Sequence, residues 1–180
     1  LARLAIVAPG EAISETELRR LEAAAPAQVR ALLATQGYMD PEVQVLREPG
    51  EPGELPRVRI QVQPGRQSRI ERADVQLQGP LAEAAAAGDA SARETLASWR
   101  AAWLLPVGTP FSDAAWRAAK AAALTRLRAA GYASASWAGT SAQVDADDAS
   151  VRTVVVADSG PLYRTGDLVI EGLVRHDERS

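Results

Sequence analysis

Cysteine is absent from the 180 residues, which excludes disulfides, Cys-ligated zinc and thiol nucleophiles and leaves the redox compartment open. Histidine occurs once, at His176, so most His-ligated metal sites and Ser-His triads lack a member. No apolar run approaches the about 18 residues that a membrane-spanning helix needs. Neither charge is in marked excess: 20 Lys+Arg against 23 Asp+Glu leave a net charge of −3. That balance gives no electrostatic case for nucleic acid or an anionic membrane surface as the main partner. Lysine is nearly missing too, with Lys120 alone beside 19 arginines, while alanine takes 37 positions. Such a bias follows genome base composition and inflates helix propensity, so periodicity and turn punctuation carry more weight than residue rank. The chain opens at Leu1 without the basic, apolar and small-residue zones of a signal peptide, and reads as a piece of something longer. These absences point away from catalysis and toward architecture.

What is present is punctuation. Ser14 with Glu17 three residues on makes a capping box, and Ile13 and Leu18 are placed to close a hydrophobic staple. The helix they start carries Leu18, Leu21, Ala25, Val29, Leu32 and Leu33 as far as Gly37, a residue suited to the position after a helix. Pro26 lies inside it and removes a backbone donor, which predicts a kink or a break into two helices. Glu42 to Arg47 reads as a weak strand and Glu48 to Gly53 as a loop. Arg57 to Gln63 alternates, with Val58, Ile60 and Val62 on one side, the pattern of a strand with one buried face. Ala73, Val75 and Leu77 alternate again toward Gly79. Ser91 and Glu94 make a second capping box ahead of Leu96, Trp99 and Trp103. Ser112 can cap a helix that buries Trp116, Ala119, Ala123, Leu124 and Leu127 and stops at Gly131. A strand within Ala133 to Val144, an acidic loop at Asp145 to Asp148, a stronger strand from Val151 to Ala157 and a last one at Leu168 to Gly172 complete the chain.

Two passages repeat. A helix ends in Gly37-Tyr38 and another in Gly131-Tyr132, 94 residues apart, while strands close on Gly79 and on Gly172, 93 residues apart. A shared offset across different element types indicates tandem repetition. The complete copy runs from about Ile70 to Ala157 as strand-helix-helix-strand-strand. The copy before it lacks its front end, with Leu1 to Ala8 as the tail of a first helix. A unit of roughly 80–90 residues buries only about 60% of its chain surface, so contacts between neighbouring units matter.

These residues resemble the POTRA (polypeptide-transport-associated) repeats of outer-membrane assembly and secretion proteins. The resemblance is carried by Gly37-Tyr38 and Gly131-Tyr132 after the second helix. It is carried also by the turn and strand Ser159-Gly160-Pro161-Leu162-Tyr163-Arg164-Thr165-Gly166, running on to Ile170-Glu171-Gly172-Leu173. Trp103-Leu104-Leu105-Pro106, Gly108, Pro110-Phe111 and Trp116 with Lys120 are similar to the TamA branch, the outer-membrane subunits of translocation and assembly modules. Pro26 and the turn at Pro64-Gly65-Arg66, which has no aromatic, depart from the pattern. The resemblance implies an α+β fold of tandem units, each a three-stranded sheet covered on one face by two helices. Residues 1–65 are then a first unit without its first strand, 66–158 a complete second unit, and 159–180 the first strand of a third. It also implies a periplasmic, non-enzymatic scaffold without cofactors, attached to a C-terminal β-barrel of the same chain. Its partners would be outer-membrane and autotransporter client proteins and a TamB-like inner-membrane subunit. A BamA-like or two-partner secretion protein, or a periplasmic adaptor without a barrel, stay open as parents. Segments of about ten alternating residues beyond Ser180 would distinguish the barrel.

An edge strand presents unpaired amides and carbonyls that can accept another extended chain. In these repeats the second strand tends to be that edge, which here points to Ala133, Ser134, Ala135, Ser136 and Trp137, with Glu42 to Arg47 in the first copy. Small side chains leave room for a guest, although Trp137 is better placed to pack inward beneath its helix, as aromatics usually do. The motif residues Gly37, Tyr38, Gly131, Tyr132, Gly160, Pro161, Gly166 and Gly172 read as structural, and Tyr163 as a prop at the joint between repeats. Asp145, Asp147 and Asp148 lack the glycine and terminal glutamate of a calcium hand and read as a solvated turn. Ser159 has no Gly-x-Ser-x-Gly elbow around it. His176 receives no role, and no metal site is expected.

Overall fold

The computed structural model describes residues 14–49, 56–164 and 166. The expected helix tail at Leu1 to Ala8, the staple residue Ile13, the strand at Leu168 to Gly172, the motif residue Gly172 and His176 lie outside the described residues.

The first helix, α1, spans Glu15–Thr35. Ser14 caps it as expected, its Oγ accepting the Glu17 amide at 3.2 Å. Arg20 takes both oxygens of the Glu17 carboxylate, at 3.0 and 2.6 Å. That guanidinium hydrogen bond holds the Glu17 carboxyl below its ordinary value. The expected break at Pro26 is absent: α1 is one helix with Pro26 inside it. A proline removes one i→i−4 bond, and here Ala25 and Val29 on either side of it are buried, so packing holds the helix together across the gap. At its start, Arg47 reaches both Glu15 oxygens at 2.7 and 2.9 Å and ties α1 to the strand below.

That strand, β1 (Glu42–Glu48), pairs antiparallel with β2 (Arg57–Gln63), from Glu42 opposite Gln63 to Glu48 opposite Arg57. The face of β2 expected to be buried is not. Val58, Ile60 and Val62 keep 37%, 36% and 39% of their surface exposed. They lie on the same face as Val43, Val45 and Arg47, the side that carries α1. But α1 packs chiefly over β1, and Val58 and Ile60 line an open pocket with Leu18, Leu21 and Ala25 instead of being sealed.

The second unit contains β3 (Arg69–Gln78), α2 (Pro80–Ala86), α3 (Ala90–Ala101), α4 (Asp113–Ala129), β4 (Ser136–Asp145) and β5 (Ser150–Asp158). Its sheet has the order β3-β5-β4, with β3 parallel and β4 antiparallel to the central β5. This is the strand-helix-helix-strand-strand order, with its first helix divided into α2 and α3. The start of α3 differs from the expected capping box. Asp89, not Ser91, is the cap, its Oδ1 accepting the Ala92 amide at 2.9 Å, and Ser91 lies within the first turn. Ser112 does cap α4, through the Ala115 amide at 3.1 Å.

Two apolar clusters fill the space between sheet and helices. One gathers Leu77, Leu81, Trp99, Leu127 and Tyr132, and the other Ile70, Leu105, Phe111, Ala119 and Val151. The Trp99 indole N–H is satisfied by the Ala123 carbonyl at 3.0 Å, as a buried indole requires. Trp103 meets Trp116 edge to face at 6.1 Å, and the Lys120 ammonium lies 4.8 Å from the Trp116 ring centre.

The repetition is visible residue by residue. Glu42 faces Gln63 and Glu48 faces Arg57, just as Gly139 faces Val156 and Asp145 faces Ser150. Val58, Ile60 and Val62 therefore correspond to Val151, Thr153 and Val155, which are 0%, 1% and 0% exposed beneath their helices. The same alternation is sealed in one unit and open in the other.

Candidate functional site

The candidate site is the edge of the three-stranded sheet. Its two outer strands are not equally open. At the start of β3 the loop Gly108 to Phe111 lies alongside the strand, with Ile70 donating to Thr109 O at 2.9 Å and Gly108 donating to Ile70 O at 2.7 Å. On the other side of the sheet, β4 has β5 as its only strand partner among the described residues. Its side chains from Gly139 to Ser141 are small and exposed. An unpaired edge of this kind is a template for one more strand.

The residues expected to form that edge are spread over three environments. Ala133 and Ser134 lie in a turn, and Ala135 is buried at 1% exposure. Only Ser136 and Trp137 belong to the strand, at its first two positions. Trp137 is half-buried and packs on the cluster of Leu77 and Leu127. Just beyond it the register shifts between Trp137 and Gly139, a bulge that leaves Ala138 without a partner on β5. The regular part of the edge therefore runs from Gly139 to Asp145, downstream of the expected residues. Nothing in the local sequence marks this boundary: Ala133 to Ala135 follow the end of α4, and Ser136 and Trp137 pair with β5 before the bulge.

That ending is the same in both units. Gly37 at φ 87° and Gly131 at φ 96° adopt the left-handed conformation. Tyr38 and Tyr132 then donate back to Leu33 and Leu127, each at 3.0 Å. Glycine is the residue that reaches this conformation without strain, and the reverse bonds close the helix end. Tyr132 is buried and Tyr38 half-buried. Tyr163, by contrast, is 55% exposed, and its backbone N–H donates to Gly131 O at 2.8 Å. Gly160 lies against Ser134, Pro161 is exposed, and so is Gly166.

The end of β5 carries a second constellation that sequence reasoning did not assign. Ser159 is fully buried, and its Oγ accepts the Leu81 amide at 3.1 Å. Its own amide donates to Gln78 O at 3.1 Å. Beside it, Asp158 accepts from the Gly160 amide at 2.9 Å and from the Gln78 side chain at 3.1 Å. The Gly160 bond first, and then the Gln78 bond, hold the Asp158 carboxyl below its ordinary value. With the folded value beneath the unfolded one, this stabilisation is in place above the unfolded pKa and is lost as pH falls through the folded one. The Asp-Ser-Gly triplet thus clamps the start of α2 onto the sheet. In the acidic loop, the Asp145 carboxylate accepts the Asp147 and Asp148 amides at 3.1 and 3.2 Å, which makes it a turn-closing residue.

No protein-family model matches the chain, and no curated protein matches it. Among solved structures it is similar to the POTRA3-5 segment of BamA from Haemophilus influenzae, at 18% identity and a TM-score of 0.37. That match covers 85% of this chain and 54% of the other, so the chain spans about half of that structure. It is similar also to POTRA1-2 of the periplasmic domain of Omp85 from Anabaena, at 19% identity and a TM-score of 0.35, covering 88% and 81%. The POTRA4 domain of H. influenzae BamA matches at 19% identity and a TM-score of 0.34, over 53% of this chain and 95% of that one. At identities and TM-scores of this size, the fold rests on the chain's own element order and strand pairing.

Proposed function

We propose that this chain is the periplasmic portion of a TamA-like outer-membrane assembly protein, built from tandem POTRA-type units at 1–65, 66–158 and 159–180. In this reading it is a scaffold rather than an enzyme, and it holds client chains or a TamB-like partner subunit by strand addition. The observation that supports it most directly is the open outer edge of β4 from Gly139 to Asp145. Main-chain hydrogen bonding along such an edge is nearly indifferent to the guest's side chains, which suits a handler of many β-rich clients.

The test uses a synthetic ten-residue peptide of alternating valine and threonine. Strand addition slows amide exchange at alternate β4 positions between Gly139 and Asp145, by about tenfold or more at saturation. In an antiparallel edge strand, successive N–H groups point alternately toward β5 and outward. Of the variants Thr140→Pro and Ser141→Pro, one therefore keeps its circular dichroism and Tm but loses the peptide-induced protection, while the other lowers Tm. Unchanged exchange along β4, or full protection in both proline variants, would remove strand addition from the reading.

A further inference from the structure

The stretch between the two sheets, Pro64 to Ser68, is not a free tether. On one side, Gln67 faces Tyr38 in an antiparallel bridge, and the Ser68 amide donates to Gly37 O at 2.8 Å. The Gln67 side-chain amide adds a bond to Gln36 O at 2.9 Å. On the other side, Phe111 donates to Ser68 O at 2.9 Å, and Arg69 faces Pro110 in a second bridge. Three backbone segments, 37–38, 67–70 and 108–111, thus lie side by side as a ladder that crosses from the first unit into the second. Ser68 at its centre is fully buried, and Met39 from the first unit packs on the second unit's cluster of Ile70 and Phe111.

We propose that this ladder fixes the angle between the two units and that Gly37 is the position that allows it to close. A Cβ on Gly37 would fall on the carbonyl oxygen of Phe111, and φ at 87° disfavours any other residue there. A hinge between domains is expected to run through exposed chain with few bonds of its own; here the connecting backbone is paired on both sides. The arrangement also begins again at the far end of the second unit. Tyr163 donates to Gly131 O at 2.8 Å, as Ser68 does to Gly37 O, and Leu162 Cδ1 lies 2.9 Å from where a Cβ on Gly131 would stand. A contact repeated at the same place in two copies is a property of the repeat, not of one junction.

Because the chain has no cysteine, the pair Ala27→Cys and Ser98→Cys, both exposed and one in each unit, can carry spin labels without competition. Pulsed electron–electron distance measurement on this 180-residue chain should give one narrow distribution. With Gly37→Ala added it should broaden or shift, while amide protection of β1 and β5 shows both units folded. A broad distribution in the parent pair overturns the fixed angle, and a narrow, unshifted one in Gly37→Ala removes the assignment of Gly37. If Gly37→Ala unfolds α1, the amide of Ser68 in the unsubstituted chain decides. Exchange within about tenfold of the β5 amides supports a closed ladder, and exchange at the rate of an open amide overturns it.

Discussion

The Ser159 hydroxyl accepts the Leu81 amide and so supplies α2 with the side-chain cap that its own Gly79 does not provide. Replacing it, Ser159→Ala, leaves that buried amide unpaired. We expect a loss of about 1–2 kcal/mol of second-unit stability, read as a lower urea midpoint of tryptophan fluorescence. An unchanged midpoint would mean that water satisfies the amide instead. In the sequence Ser159 is only the middle of an Asp-Ser-Gly triplet, and its partner is far away along the chain. Ser14 and Ser112, which cap their own helices, were legible because donor and acceptor lie three residues apart. Gly37 and Gly131 were legible for the same reason, since their reverse bonds close within one turn. Ser68 carries no such signal: its place is set by Gly37 before it and Phe111 after it.

At the scale of elements, α1 shows packing overriding a local rule. Pro26 denies one backbone bond to a helix whose neighbouring residues Ala25 and Val29 are buried. Proline is about 3 kcal/mol worse than alanine inside a helix, but it also stiffens the unfolded chain by up to about 1 kcal/mol. Pro26→Ala should therefore stabilise the first unit by about 2 kcal/mol, measured by circular dichroism at 222 nm in urea. A destabilised variant would show that the ring itself supports the packing. The strands were legible in their alternation, yet alternation reports only which side chains share a face. It cannot report how completely that face is covered, which is why Val58, Ile60 and Val62 stay partly open beside α1 while Val151, Thr153 and Val155 are sealed. The start of β4 lies later than expected because Ala133 to Ala135 read equally well as strand, whereas the turn after α4 and burial of Ala135 take them first.

In the whole molecule the repeat was the most legible feature, because its offset recurs in elements of different kind. The difference between the copies was less so. The first unit's buried aliphatic side chains, among the described residues, are Ala25, Val29 and Val43, against two full clusters in the second. All four tryptophans, Trp99, Trp103, Trp116 and Trp137, belong to the second unit. Urea unfolding should therefore be biphasic across probes, with circular dichroism lost first as α1 melts and tryptophan fluorescence changing later. Coincident curves would show that the units unfold as one. The ladder at Gly37, Ser68 and Phe111 has a last consequence. Backbone hydrogen bonds contribute about 1 kcal/mol each, whereas bringing two free bodies together costs about 4–15 kcal/mol. Contacts such as Ser68 to Gly37 and Gln67 to Gln36 are too few to assemble separate units. They suffice here because the short run from Pro64 to Ser68 holds each unit before the other at an effective concentration of order millimolar. Severing the chain between Pro64 and Gly65, ahead of Gln67 and Ser68, would therefore abolish the junction without changing any residue that forms it.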